Sequence, residues 1–136
     1  MNTMKSFHDY HLTGYEVDGL RRELRLNLAW LYPDDPEPRP PEQVVFHGVE
    51  DYFFEHDLGV NIIYAIEEIA TLNHLQACEQ QFRASARWGW PRFWRGEVSE
   101  TIEQINAKGA KCFELSSSYG ISGWVIAAGA SVASAA

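Results

Sequence analysis

The stretch His8-Asp9-Tyr10-His11 sets two imidazoles beside a carboxylate and so offers metal ligands. On a strand, a spacing of three sends the two rings to opposite faces, where they cannot share an ion. The neighbouring pattern is not helical, so these residues are expected to fix the start of a strand by hydrogen bonding. His47 and His56 lack zinc-type spacing, and His74 stands alone. Ser116-Ser117-Ser118 and Ser122 invite a hydrolase reading, but a nucleophile elbow needs Gly-x-Ser-x-Gly on a strand-to-helix turn. Here Gly120-Ile121-Ser122-Gly123 brings the second glycine one place early, between two strand-like runs, so hairpin hydroxyls are expected. Cys78 and Cys112 are too few for a disulfide framework, or for zinc without histidine partners, and read as small buried apolar side chains. No phosphate-binding loop or dinucleotide fingerprint is present. Nineteen acidic residues allow many carboxylate pairs and the sequence selects none; Glu50-Asp51 and Glu67-Glu68 read as solvated strand ends. No catalytic, cofactor-binding or metal-binding residue is assigned, no cofactor is expected, and the balance leans away from an enzyme.

The unusual cluster is Trp88-Gly89-Trp90-Pro91-Arg92-Phe93-Trp94-Arg95. Tryptophan and arginine are enriched at interface hot spots, and Gly89 and Pro91 make the stretch a loop or a short turn. Two readings are open. In one, the rings fold back as a lid over one end of the domain, since aromatic side chains bury large areas. In the other they face a partner or a ligand, and Trp90, Phe93 and Trp94 are the candidate anchors.

These residues must be positioned by a small scaffold. A chain of 136 residues fits one domain, taken here as residues 1–136, and its 46% hydrophobic content supplies a core. The formal charge of −8 argues against nucleic acid, because phosphate binding needs lysine and arginine. It argues equally against anionic membrane surfaces, and favours encounter with a basic partner. The start, Met1 to His11, lacks the basic and apolar regions of a signal segment, and the apolar tail from Trp124 is too short to span a bilayer. A cytoplasmic location is expected.

The clearest element runs from Leu20 to Tyr32, where Leu24, Leu26, Leu28 and Trp30 alternate with Glu23, Arg25, Asn27 and Ala29. A period of two is that of a half-buried strand. Asp18-Gly19 is expected to make a two-residue hairpin turn to a partner strand upstream, Phe7 to Val17, with a bulge at Gly14 where the apolar parity changes. Pro33, Pro36, Pro38, Pro40 and Pro41 mark a stiff exposed loop between the second and third strands. Gln43 to Val49 and Tyr52 to Glu55 suit a strand with an irregularity, with Gly48 between, and His56 to Gly59 reads as a turn. Val60 to Ile69 fits either strand or helix by period; its β-branched residues favour strand. Thr71 to Arg87 has no clear reading. One helix is expected after a cap at Ser99, with Glu100 and Glu103 near its start, Lys108 near its end, Val98, Ile102 and Ile105 on one side and Gly109 just past it. A hairpin of Lys111–Ser117 and Ile121–Ala128 follows. The fold class is therefore α+β and mostly β. It is expected as an antiparallel sheet, sandwich or partial barrel of about six or seven strands, with one helix in the C-terminal half.

Four segments together resemble a known family: Phe7-His8-Asp9, the alternating Leu24–Trp30 strand, Val45-Phe46-His47-Gly48-Val49-Glu50-Asp51, and Asn61-Ile62-Ile63-Tyr64. They resemble the small bacterial immunity proteins of polymorphic toxin systems, in particular the family called immunity protein fifty, over roughly residues 5–68. The resemblance implies a non-catalytic cytoplasmic binding protein that neutralises a cognate toxin, and the net charge of −8 suits a basic one. The rival expectation is a small enzyme or ligand-binding β domain with its pocket under the tryptophan loop.

Overall fold

Leu24, Leu26 and Leu28 point to one side of a strand and are almost wholly buried, in a computed structural model that describes residues 5–134. The outermost residues of the Met1–His11 start and of the apolar tail lie outside the described residues. Among the described residues six strands form in chain order with two α-helices between them: β1 (His11–Asp18), β2 (Glu23–Ala29), β3 (Glu42–Glu55), β4 (Asn61–Ile69), α1 (Thr71–Ser85), α2 (Val98–Ala107), β5 (Lys111–Tyr119) and β6 (Ser122–Ser134). Every pairing is antiparallel, and the strands close a barrel in the order β1-β2-β3-β6-β5-β4. The fold is thus mostly β.

Two long strands make the corner of the barrel. The first half of β3, Glu42–His47, pairs with both β2 and the end of β6, while Val49–Glu55 pairs with β6 alone. The change falls at Gly48, whose φ is +61°, and the register shifts between Val49 and Asp51. A Cβ at Gly48 would also come within 2.8 Å of the Ala128 methyl, so bend and close approach both require glycine. Closure between β1 and β4 is short, confined to His11 and Leu12 against Ile62 and Asn61. The bulge expected at Gly14 is present, as a register shift between Leu12 and Gly14.

Asn61 locks that closure. Its Oδ1 accepts from the backbone N–H of Leu58 and of Ile121, and its Nδ2 donates to Leu12 O and to Asp57 Oδ1. It is 1% exposed, and every polar atom of its amide is satisfied, as a buried amide requires.

There are two cores. Inside the barrel lie Phe7, Tyr10, the β2 leucines, Phe46, Ile63, Phe113 and Val125. Outside, the opposite faces of β5 and β6, through Cys112, Trp124 and Ile126, pack under α1, α2 and the tryptophan loop. Both faces of β5 and β6 are covered, which is why Cys112-Phe113 and Trp124 to Ala127 are consecutive buried residues.

Three local expectations need correction. Thr71–Ser85 is a helix, α1, so the scaffold carries two helices instead of one. Ser99 does not cap α2; Glu97 holds the N-cap position without a side-chain cap, and Ser99 Oγ donates to Glu97 Oε1. The hairpin between β1 and β2 has four linking residues, with Asp18 Oδ1 accepting from the N–H of Leu20 and Arg21, and the positive φ falls on Arg22 and not on Gly19. The C-terminal reading of α2 does stand: Gly109 has φ +68°, its N–H donates to Asn106 O, and Ala110 N–H donates to Ile105 O.

Candidate functional site

The tryptophan loop packs inward. Phe82 of α1 sits at the centre of a ring cluster, with centroids 5.8 Å from Trp90, 5.6 Å from Phe93, 5.7 Å from Trp94 and 5.6 Å from Trp124, all edge-on. Phe93 and Trp94 are 4% and 9% exposed, and Trp90 is half-buried against Phe53 of β3. The loop backbone is also tied down: Arg92 N–H donates to Asp51 Oδ2, and Arg95 N–H donates to the buried hydroxyl of Thr101 on α2. The lid reading therefore describes these residues. As anchors for a partner, Phe93 and Trp94 would first have to leave this cluster, where Phe93 stands edge-on to both Phe82 and Trp124. Trp88 is the exposed member of the loop, at 75%, with the Arg87 guanidinium 4.7 Å over its ring.

One carboxylate joins three elements beside this cluster. Glu50 receives Lys108 Nζ at 2.9 Å, Arg92 at 3.5 Å and Arg22 at 3.9 Å. Burial raises its pKa, but the Lys108 hydrogen bond and the charges of Lys108, Arg22 and Arg92 together carry it below the ordinary value. Arg22 donates in addition to the carbonyls of Val49 and Glu50. These partners make Glu50, on β3, a joint between the β1–β2 hairpin, the tryptophan loop and the end of α2.

The groups with reactive chemistry are in apolar surroundings. His74 lies under α1, 4.9 Å from the Trp124 ring, and burial pushes its pKa down to about 4. Cys78 Sγ is 3.9 Å from that imidazole, and burial raises its thiol. Cys112 is buried and pushed up to about 12. Thiols held protonated are weak nucleophiles. Ser116 Oγ donates to Ala65 O, and Ser117 Oγ is buried without a partner among the described residues. His8 stands edge-on to Tyr64, and His11 lies tilted against Tyr32, so the two imidazoles serve different neighbours.

The more open chemistry is at the far end of β2, where the proline-rich loop folds back on the barrel. Trp30 Nε1–H donates to Asp35 Oδ2 at 2.8 Å, Tyr32 Oη donates to Asp9 O at 2.9 Å, and Tyr10 Oη donates to Pro40 O at 3.1 Å. Trp30 and Tyr32 stand 4.8 Å apart, edge to face. Together with Asp9, Leu31, Pro33, Asp34 and Asp35 they line an open recess of about 520 Å³. Hydrogen bonds from Glu37 N–H and from Trp30 hold the Asp35 carboxyl below its usual range, so it stays ionised. Sequence reasoning recognised this loop only as a stiff connection; Trp30 and Tyr32 flanking a proline–aspartate run were the available signal.

No family model, no curated protein and no solved structure matches this chain. No helix among the described residues is long and apolar enough to cross a membrane.

Proposed function

We propose that the chain is a non-catalytic cytoplasmic binding protein that neutralises a basic protein toxin by covering it, as its resemblance to immunity proteins implies. The observation that supports this reading is how charge is divided between inside and outside. Every lysine and arginine is engaged within the molecule. Lys5, Arg21, Arg22, Arg25, Arg83, Arg92, Lys108 and Lys111 are in ion pairs, Arg39 and Arg87 lie over tryptophan rings, and Arg95 donates to backbone carbonyls. Glu16, Asp34, Glu37, Glu55, Glu67, Glu97, Glu100, Glu103 and Glu114 are exposed carboxylates outside those pairs. On β4 and β5, Glu67 and Glu114 are even directly opposite each other, an arrangement that costs stability in the free protein. A surface of this kind attracts a basic protein and repels phosphate backbones.

The test is co-expression. A toxin-like reading frame is expected beside the one that encodes this protein; its product, produced alone in a bacterial host, should arrest growth, and this protein should relieve the arrest. Growth arrest that persists at equal expression of the two proteins would remove the inhibitor reading.

A further inference from the structure

Among the surface recesses that combine apolar walls with carboxylates, two differ in whether those carboxylates are paired at close range. At the β1–β2 hairpin, Asp18 has Arg21 at 3.9 Å, and Glu23 has Arg25 at 3.8 Å and His47 at 3.3 Å. In the recess at the proline-rich loop, Asp34 and Asp35 are in no close ion pair among the described residues, although the Arg39 charge reaches Asp35, and Asp9 faces the exposed His8 at 3.5 Å. The walls differ too. The hairpin recess has Val17 and Leu20, whereas the loop recess has the Trp30 and Tyr32 rings.

Aromatic faces beside carboxylates suit a delocalised cation. The protein itself shows that the Trp30 ring accepts one, since the Arg39 guanidinium lies 4.7 Å over it. The carboxylates are not set to share a metal ion; no group of three potential ligands comes together among the described residues. A planar guanidinium stacks on rings, donates to several carboxylates at once, and sheds water more readily than an ammonium. We propose that this recess receives an arginine side chain of the basic partner, held against Trp30 and Tyr32 by the charges of Asp9, Asp34 and Asp35. The proposal rests on the reading of the protein as a binder of a basic toxin and names the chemistry of its anchor. The loop's prolines and the Trp30–Asp35 and Tyr32–Asp9 hydrogen bonds fix the recess beforehand, so little ordering is required on binding.

The experiment needs no partner. Acetyl-arginine-amide is titrated into the labelled protein while the Trp30 indole N–H resonance is followed. A saturable shift is expected, weaker with acetyl-lysine-amide and absent with acetyl-norleucine-amide. Asp9→Asn together with Asp34→Asn should weaken arginine binding by roughly threefold to tenfold, the range for two exposed ion pairs. Arg39→Gln, which removes the competing cation, should strengthen it. No Trp30 shift, or a shift shared by norleucine or indifferent to the two asparagines in a folded variant, would overturn the proposal. A toxin neutralised as well by the doubly substituted protein would also overturn it while leaving the inhibitor reading standing. Arginine binding without any toxin neutralised would leave the recess and remove that reading.

Discussion

Glu50 shows how one side chain can hold several elements. Removing its charge leaves Lys108, Arg92 and Arg22 facing one another at the joint between hairpin, β3 and α2. Glu50→Gln should cost about 1–3 kcal/mol in chemical denaturation. Because the folded pKa of Glu50 is depressed, its contribution is complete above the unfolded carboxylate value and is lost as pH falls through the folded one. The variant should therefore show a shallower loss of stability in acid below about pH 4.3. His74 acts in a different window. Its folded pKa is about 4 against an ordinary 6.5, so the unfolded chain takes up the proton first. Stability is complete above pH 6.5 and falls by on the order of 3 kcal/mol down to pH 4, the cost of charging a buried imidazole. His74→Phe should flatten that slope, and an unchanged slope would place the titration elsewhere. Neither role was legible beforehand, because a lone histidine or a Glu-Asp pair in sequence carries no sign of what folds over it.

At the scale of elements, legibility followed the number of environments a segment has to satisfy. β2 has one face in the barrel and one in solvent, so its alternation stood out. α1 presents only His74, Leu75 and Phe82 as fully buried residues, with Cys78 partly covered, among polar neighbours; so narrow a stripe gave no period. The tryptophan loop could be read as lid or as contact surface, since the same ring types serve both; the location of Phe82 decides it, and that residue lay in the unread segment. Phe93→Ala and Trp94→Ala should each lower stability by about 3–5 kcal/mol, while Trp88→Ala should change it by less than about 0.5 kcal/mol. Thermal melts of the three variants check this, and a mild Trp94→Ala would mean that the loop does not depend on the second core. In β2, Leu26→Asp should unfold the protein and Arg25→Asp should be tolerated.

The described residues form a closed barrel whose cations face its own carbonyls, rings and carboxylates, leaving carboxylates such as Glu16, Glu37, Glu55, Glu67 and Glu114 to solvent. This division was half visible in the sequence. The net charge of −8 can be counted, but which charges are spent internally depends on strand register and on how the hairpin, the tryptophan loop and α2 meet at Glu50. A field of that sign should accelerate encounter with a basic protein and should be damped by salt, since exposed charges are screened beyond about 8–10 Å at moderate ionic strength. The most direct measurement is the association rate of the purified product of the neighbouring reading frame with this protein, followed by stopped flow across a salt series. Tight one-to-one binding, with an association rate that falls steeply as salt rises and a dissociation rate that hardly changes, is the expected result. No complex, or an association rate indifferent to salt, would contradict the reading of this surface as one made to meet a basic toxin.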